Sequence, residues 1–285
     1  MPRLANLGHG SRICRDRCWT NMDLSSLNDQ VISHNLLQGI PFPDDTFDGV
    51  YHSDLLEHFS RGDGERLMRE CFPVLRPGGI VRVVVPDLEQ ICRAYLDPLE
   101  KVESGNARWR ARYDWIVLEM QDQATRTAPG GEMTRCLRQP NVLDPKFVIA
   151  RTGTVGRDFL RGTGAHQSID KNESVASNVY LQRLAGKIRL VPRIARKLMR
   201  SIVLNQHERK ALRLGLFRLS GEVHEWMYDR YSLRVLLHDI GFAEIRQCSG
   251  AESSIPRWNV YFLDIDPDGF EHAPSSLYME GFKPK

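Results

Sequence analysis

The sequence predicts an α/β chain, and three observations carry that prediction. Leu4 to Leu7 is a short apolar run leading directly into Gly8-His9-Gly10. Leu67, Cys71, Val74 and Leu75 recur at helical spacing between two strand candidates, one at 49–52 and one at 80–85. The second candidate, IVRVVV, is a continuous branched run of the kind that lines a parallel strand buried on both faces.

Taken in order, the strand at Leu4 to Leu7 is followed by a second short run, Trp19 to Leu24, which contains Asp23. So few residues separate the two that the intervening helix must be very short. IPFPDDTFD, residues 40–48, has two prolines and three acids and reads as a turn, from which Gly49-Val50-Tyr51-His52 enters as a strand. A helix follows, and Pro77-Gly78-Gly79 is its expected stop. Ile80 to Val85 is the next strand. From Asp97 to Glu222 long helical stretches dominate, broken at Ala128 to Gly131 and at Gly153 to Gly164. The α/β pattern then resumes: a helix at Tyr231 to Ile240 puts Leu233, Leu236 and Leu237 on one side, Gly241 ends it, and strands at Phe242 to Cys248 and Leu277 to Phe282 complete the chain. These shifts divide it into a first core segment 1–96, a mostly helical insertion 97–222 and a second core segment 223–285.

With 285 residues, 41% of them hydrophobic and 26% charged, the chain is long enough to close a large core. No apolar run reaches the roughly 20 residues of a membrane span, and MPRLANLGHG lacks the apolar stretch of a signal segment, so a cytoplasmic location is expected. Six cysteines without paired spacing argue for reduced thiols. The net charge of +3 conceals an asymmetry. Eleven Lys or Arg between Asn178 and Arg218 face one acid, Glu208, whereas the remainder is mildly acidic. Within that block Leu190, Ile194, Leu198 and Ile202 recur every four residues among Arg189, Arg193, Arg196, Lys197 and Arg200. This is a basic amphipathic helix, with a solvated face, an anionic membrane surface or a phosphate-bearing partner as its three readings. No nucleic-acid-binding motif accompanies it, so nucleic acid is not an expected partner.

The chemistry-bearing residues begin with NLGHGSR, 6–12, and Asp23. Glycines let a backbone approach a ligand closely, and a carboxylate at the end of the next strand can accept both hydroxyls of a ribose. A dinucleotide site asks for a third glycine where this chain has Ile13, which disfavours a nicotinamide-dependent oxidoreductase. His9, Cys14 and Cys18 lack a second ligand pair at short spacing, so no metal is expected there.

The run IPFPDDTFDGVYHSDLLEHFSRGDGERLMRECFPVLRPGGIVRVVVPDLE, 40–89, closely resembles the post-motif region of class I S-adenosylmethionine-dependent methyltransferases of the small-molecule, type 11-like kind. HEWMYDRYSLRVLLHDIGFAEI, 224–245, and SLYMEGFK, 276–283, resemble the closing helix and strands of that family. The resemblance implies a Rossmann-like, seven-stranded, mainly parallel sheet with an antiparallel last strand, interrupted here by the large helical insertion. It implies S-adenosyl-L-methionine as cofactor, with Asn6, Gly8, His9 and Gly10 along its methionine part, Asp23 on the ribose, and Leu24 beside the adenine. It further implies Asn35 and Leu36 at the adenine amino group, and Ser53 at the methionine end. Asn35 stands where the family often has Asp, and His9 where a small residue or Cys is common.

Methyl transfer to a hydroxyl benefits from a general base, for which His58, His224 and Asp54 are the candidates. The insertion is expected to cover the acceptor, a small or lipid-linked molecule such as a saccharide. The rival outside the enzymes is a peripheral membrane-binding protein with a degenerate cofactor site, motivated by Asn35 and by the basic helix at 189–200.

Overall fold

The computed structural model describes residues 1–10, 12–24, 29–162 and 203–285. Seven strands form one sheet: β1 (Leu4–Leu7), β2 (Trp19–Asp23), β3 (Val31–Ser33), β4 (Phe47–Ser53), β5 (Leu75–Pro86), β6 (Ala243–Cys248) and β7 (Ser276–Phe282). Their spatial order is β3-β2-β1-β4-β5-β7-β6; the first five are mutually parallel, and β7 pairs antiparallel with both β5 and β6. The predicted class and the antiparallel last strand are both present. β3, three residues at the sheet edge with only Val31 buried, is too short and too exposed to register as a periodic pattern.

One face of the sheet is covered by α1 (Arg61–Val74) and α7 (Arg230–Ile240). Helix α1 starts at Ser60, whose hydroxyl accepts from Asp63 N–H, and it buries Leu67, Met68, Cys71 and Val74 in one stripe. Helix α7 opens with a reciprocal cap between Asp229 and Ser232. It buries Leu233 and Leu237 and ends at Gly241, whose φ of 115° favours a residue without Cβ.

Two expectations are corrected here. Pro77-Gly78-Gly79 does not stop a helix: α1 ends at Val74, and Leu75 is already strand, paired with Phe47. The next pair is Gly49 with Ile80, so residues 76–79 loop out of β5, with Gly78 at φ 79° donating to Lys283 O. The motif makes a bulge that fastens β5 to the end of β7. The second correction lies between β1 and β2, where residues 12–18 form no helix. Asn6 and Asn21 hold that segment to the strands instead: Asn6 Nδ2 donates to Arg12 O, and Asn21 exchanges two bonds with the Cys14 backbone.

The face a helix would have covered is filled by Trp19, Tyr51, Trp258 and Tyr261 packed ring to ring. Trp258 and Tyr261 come from the 249–275 segment between β6 and β7. It is anchored by Arg82 of β5, which is fully buried and donates to Asp264, Glu280, Ser249 O and Glu252 O.

Between β5 and β6 the described residues form α2 (Leu88–Glu103), α3 (Arg110–Thr125), α4 (Gly131–Leu137), α5 (Pro145–Leu160) and α6 (Gln206–Arg218) ahead of α7. The expected boundary at 96/97 falls inside α2, which Asp87 caps by accepting from Glu89 and Gln90 N–H, so the core runs into the insertion without a break. The break expected from Gly153 shrinks to one kinked residue. Gly153 has φ 61°, the helix continues to Leu160, and a Cβ at 153 would lie 2.0 Å from His272 O. The basic helix expected at 189–202 lies outside the described residues. The described residues contain no helix long and apolar enough to cross a membrane.

His52 of β4 points into the α1 side of the core, with Nε2 3.2 Å from Met68 Sδ and Nδ1 without a partner. Burial pushes its pKa down to about 4. An imidazole neutral in the fold but titrating near 6.5 in the unfolded chain stabilises fully above pH 6.5 and loses that contribution as pH falls toward 4. The full loss is on the order of 3 kcal/mol. We expect urea unfolding to show stability falling between pH 7 and 4.5, and His52→Gln to flatten that slope. An unchanged slope in the variant would assign the acid sensitivity to other groups.

Candidate active site

The carboxyl ends of β1, β2, β3 and β4 open onto a crevice made of three adjoining cavities. The innermost, about 180 Å³, is lined by Asn6, Gly8, His9, Gly10, Arg12, Tyr51, Ser53 and Asp54. A second, about 450 Å³, extends over β2 and β3 and includes Asp23, Leu24, Asn35, Leu36 and His58. The third, about 390 Å³, reaches under the insertion and includes Glu57, His58, Arg126, Glu222 and His224. Asp54 borders all three, His58 and Glu222 the second and third, and Arg12 the first and third. Every site residue proposed from the sequence therefore lines at least one of these cavities.

The turn after β1 makes the close approach possible. Gly8 and Gly10 have φ of 59° and 55°; a Cβ at Gly8 would strike Leu55, and one at Gly10 would project into open space. Asp23 closes the turn, accepting from Gly10 N–H at 3.0 Å and Leu24 N–H at 2.6 Å, one bond to each carboxylate oxygen. Each oxygen keeps a lone pair for a further donor. Asn35 accepts from Leu37 N–H and caps the short turn at Leu36–Gln38, so its oxygen already serves the backbone. Leu36 is buried beneath it and Leu24 is exposed. His9 Nδ1 lies 2.8 Å from Gly10 O. Asn6 is fully buried, its amide nitrogen used twice and its Oδ1 without a partner.

Arg12 received no role from the sequence, although it sits in the same NLGHGSR motif. Its guanidinium reaches Ser53 Oγ at 3.3 Å and Asp54 at 3.4 Å. Asp54 has a left-handed backbone, φ 52°, directly after β4, and this turns the chain so that Glu57 and His58 face the third cavity.

The base candidates meet. The rings of His58 and His224 are 4.7 Å apart and nearly perpendicular. The contact exists because Glu57 O accepts from Glu225 and Trp226 N–H, while His224 N–H donates to Gln123 O on α3. Burial lowers the pKa of both imidazoles, assisted at His224 by His58 and Arg126. His58 Nδ1 faces Val223 O at 3.4 Å, which leaves Nε2 as the nitrogen with the lone pair. Glu57, 1% exposed, has neither carboxylate oxygen bonded, and burial followed by the Asp54 charge pushes its pKa well up.

The roof comes from the insertion. Asp122 of α3 accepts from Glu132 and Met133 N–H and so starts α4, and Gly131 is tolerated only without a Cβ, which would sit 2.3 Å from the Asp122 carboxylate. Glu119 and Arg151 form a buried pair across α3 and α5 at 2.6 Å, completed by Trp115 Nε1–H. Just past the end of α3, Arg126 enters the cavity with Nε unbonded and Asp122 at 3.8 Å.

Residues 15–83 match the family model described as a methyltransferase domain. This match spans β2 through most of β5, the part of the sheet whose ends form the crevice. Residues 15–83 thus carry a methyltransferase domain, of the S-adenosylmethionine-dependent kind.

Among solved structures, the chain is similar to 1,6-didemethyltoxoflavin-N1-methyltransferase from Burkholderia thailandensis, with bound S-adenosylhomocysteine (16% identity, 30% of this chain and 46% of that one, TM-score 0.25). It is similar to a SAM-dependent methyltransferase from Archaeoglobus fulgidus (10% identity, 99% and 86%, TM-score 0.38). It is also similar to the cyclase SpnF (26% identity, 29% and 38%, TM-score 0.25). The chain thus spans less than half the length of SpnF and of the Burkholderia enzyme. No curated protein sequence matches it.

The methyltransferase domain fits its cofactor by the chemistry of the groups present. Asp23 can receive ribose hydroxyls, the Arg12 guanidinium borders the cavity expected to take the methionine carboxylate, and Asn6 Oδ1 is a buried acceptor lacking a donor. Cys14 and Cys18 lie in the aromatic cluster, and burial pushes the Cys14 thiol up to about 11.

Proposed function

We propose that the whole chain is an S-adenosylmethionine-dependent O-methyltransferase, with the methionine and adenosine ends of the cofactor in the first two cavities and the acceptor in the third. The observation that supports this most strongly is the common border. Asp54 lines all three cavities, and His58 lines the second and third, so the transferable methyl group would face the histidine pair. When bound, the cofactor supplies a methyl group on a sulfonium, displaced in line.

The protein's share is to hold the acceptor in that line, where orientation contributes up to roughly 7–11 kcal/mol, and to accept a proton. His58 Nε2, or His224 beside it, would accept the hydroxyl proton of the acceptor. His224 stands edge-on against the ring and limits its rotation. Glu119–Arg151 and Asp122 hold the roof rigid over the acceptor.

A cavity of about 390 Å³ lined by Arg12, Asp54, Arg126, Glu222 and the two histidines suits a small, hydroxyl-rich acceptor. A saccharide, free or carried on a lipid, has that character. The basic residues 189–200 supply the charge for an anionic membrane surface where a lipid-linked acceptor would lie.

Calorimetry with S-adenosylhomocysteine tests the cofactor assignment. Micromolar binding is expected, weakened at least tenfold by Asp23→Ala, because each ribose hydroxyl left unpaired costs about 1–3 kcal/mol. Asp23→Asn, which keeps one acceptor oxygen, should fall between. No heat from the folded protein, or equal affinity in Asp23→Ala, would reject the assignment.

A further inference from the structure

We propose that Glu57, His58 and His224 form a binding site for one divalent transition-metal ion, with its open positions facing the third cavity. The inference deepens the proposed function, since with the ion in place His58 Nε2 becomes a ligand and the ion replaces it as the agent that would deprotonate the acceptor, and it rests on that reading only for its purpose. Its geometry stands alone: one donor atom from each of the three residues lies within 4.8 Å of the other two.

The first argument is the state of Glu57. Among the described residues, the other buried acids are all bonded. Asp87 caps α2, Glu119 pairs with Arg151, Asp122 caps α4, Asp264 and Glu280 take Arg82. Glu57 alone has two unbonded oxygens, and its nearest cationic candidate, His224 Nε2, stands 4.0 Å away. Such a carboxyl is left at heavy desolvation cost unless a proton or a cation joins it. Two imidazoles whose ring nitrogens lie within 4.8 Å of the Glu57 carboxylate favour the cation.

The second argument is orientation. His58 Nδ1 faces the Val223 carbonyl, the arrangement that fixes a ligating imidazole and presents Nε2 to an ion. Two histidines and one carboxylate are a recurrent donor set for divalent zinc, iron and cobalt, with positions left open for water or substrate oxygen. Bond lengths of about 2.0–2.2 Å put tetrahedral ligand atoms roughly 3.3–3.5 Å apart. The trio must therefore close by up to about 1.5 Å, a change within reach of the soft terminal torsions of His and Glu side chains. Asp54 adds negative charge beside the trio, and Arg126 opposes it.

The experiment uses the full chain, stripped with chelator and titrated with Co(II) and Zn(II) at pH 7.5, while S-adenosylhomocysteine binding is measured on the same preparation. One equivalent of Co(II) per chain is expected, with visible bands of a four- or five-coordinate ion that Zn(II) bleaches. Glu57→Gln and His224→Gln should each weaken the ion at least tenfold without altering the far-ultraviolet circular dichroism. Absence of stoichiometric binding in the folded protein, or binding indifferent to both substitutions, would overturn the site. Cofactor binding without metal binding rejects this inference and leaves the methyltransferase reading intact; metal binding without cofactor binding does the reverse.

Discussion

Replacing Arg82 with methionine is expected to cost about 3–5 kcal/mol, because it leaves Asp264 with no cationic partner in a dry interior and Glu280 with only the half-exposed Arg246. In a chain of this size that corresponds to a fall in melting temperature of roughly 6–20 °C. The cost is large because one guanidinium does several jobs at once. It bonds two carboxylates, accounts for the carbonyls of Ser249 and Glu252, and lies over the faces of Trp258 and Tyr278. Tyr51 O–H donates to the same Asp264 at 2.6 Å, so the network joins β4, β5, β7 and the 249–275 segment.

Arg82→Lys keeps the charge but not the fork of donors, and should recover only part of the loss. Simultaneous replacement of Arg82, Asp264 and Glu280 by apolar residues of similar volume should restore most of it, since no charge is then left unpaired. Thermal unfolding of the three variants checks the argument. A wild-type melting temperature in Arg82→Met would show that water reaches the two acids.

The contrast between Arg82 and its neighbours shows how far the sequence carries. IVRVVV announces a buried strand because every other residue is branched and apolar, and β5 is that strand. The arginine inside it gives no sign of its partners, which lie 182 and 198 residues away, one in the 249–275 segment with no periodicity of its own and one on β7. The same reason hides β3, and it hides the aromatic cluster that replaces a helix between β1 and β2. Helices α1 and α7 are legible because each carries its own apolar stripe, and α7 also its stop at Gly241.

The candidate site divides along the same line. Gly8, Gly10, Asp23 and Ser53 sit at strand ends or in the turn after one, where residue type and spacing already suggest a ligand. Glu57 and Arg126 acquire meaning only when the chain near 224 returns to meet both the end of β4 and helix α3. Asn35 marks the limit of a resemblance. It occupies the expected place at the second cavity, but its oxygen caps a turn.

Substituting alanine for His224 or His58 is expected to lower turnover by about two to four orders of magnitude at unchanged S-adenosylhomocysteine affinity, the range typical of a lost general base. The separation of effects follows from position. His224 borders only the third cavity, beyond the groups that face the cofactor, whereas His58 also borders the second. His224→Ala is therefore the cleaner probe. A structural role would behave differently, since loosening 223–226 would release its bonds to Glu57 and Gln123, lowering stability and cofactor affinity together. His224→Asn distinguishes these cases by filling the space and keeping a polar edge while removing the basic nitrogen; it should be as slow as His224→Ala yet as stable as the native chain. If both histidine variants kept more than about a third of native turnover, proton removal would fall to water or to the acceptor itself, and catalysis would rest on orientation alone.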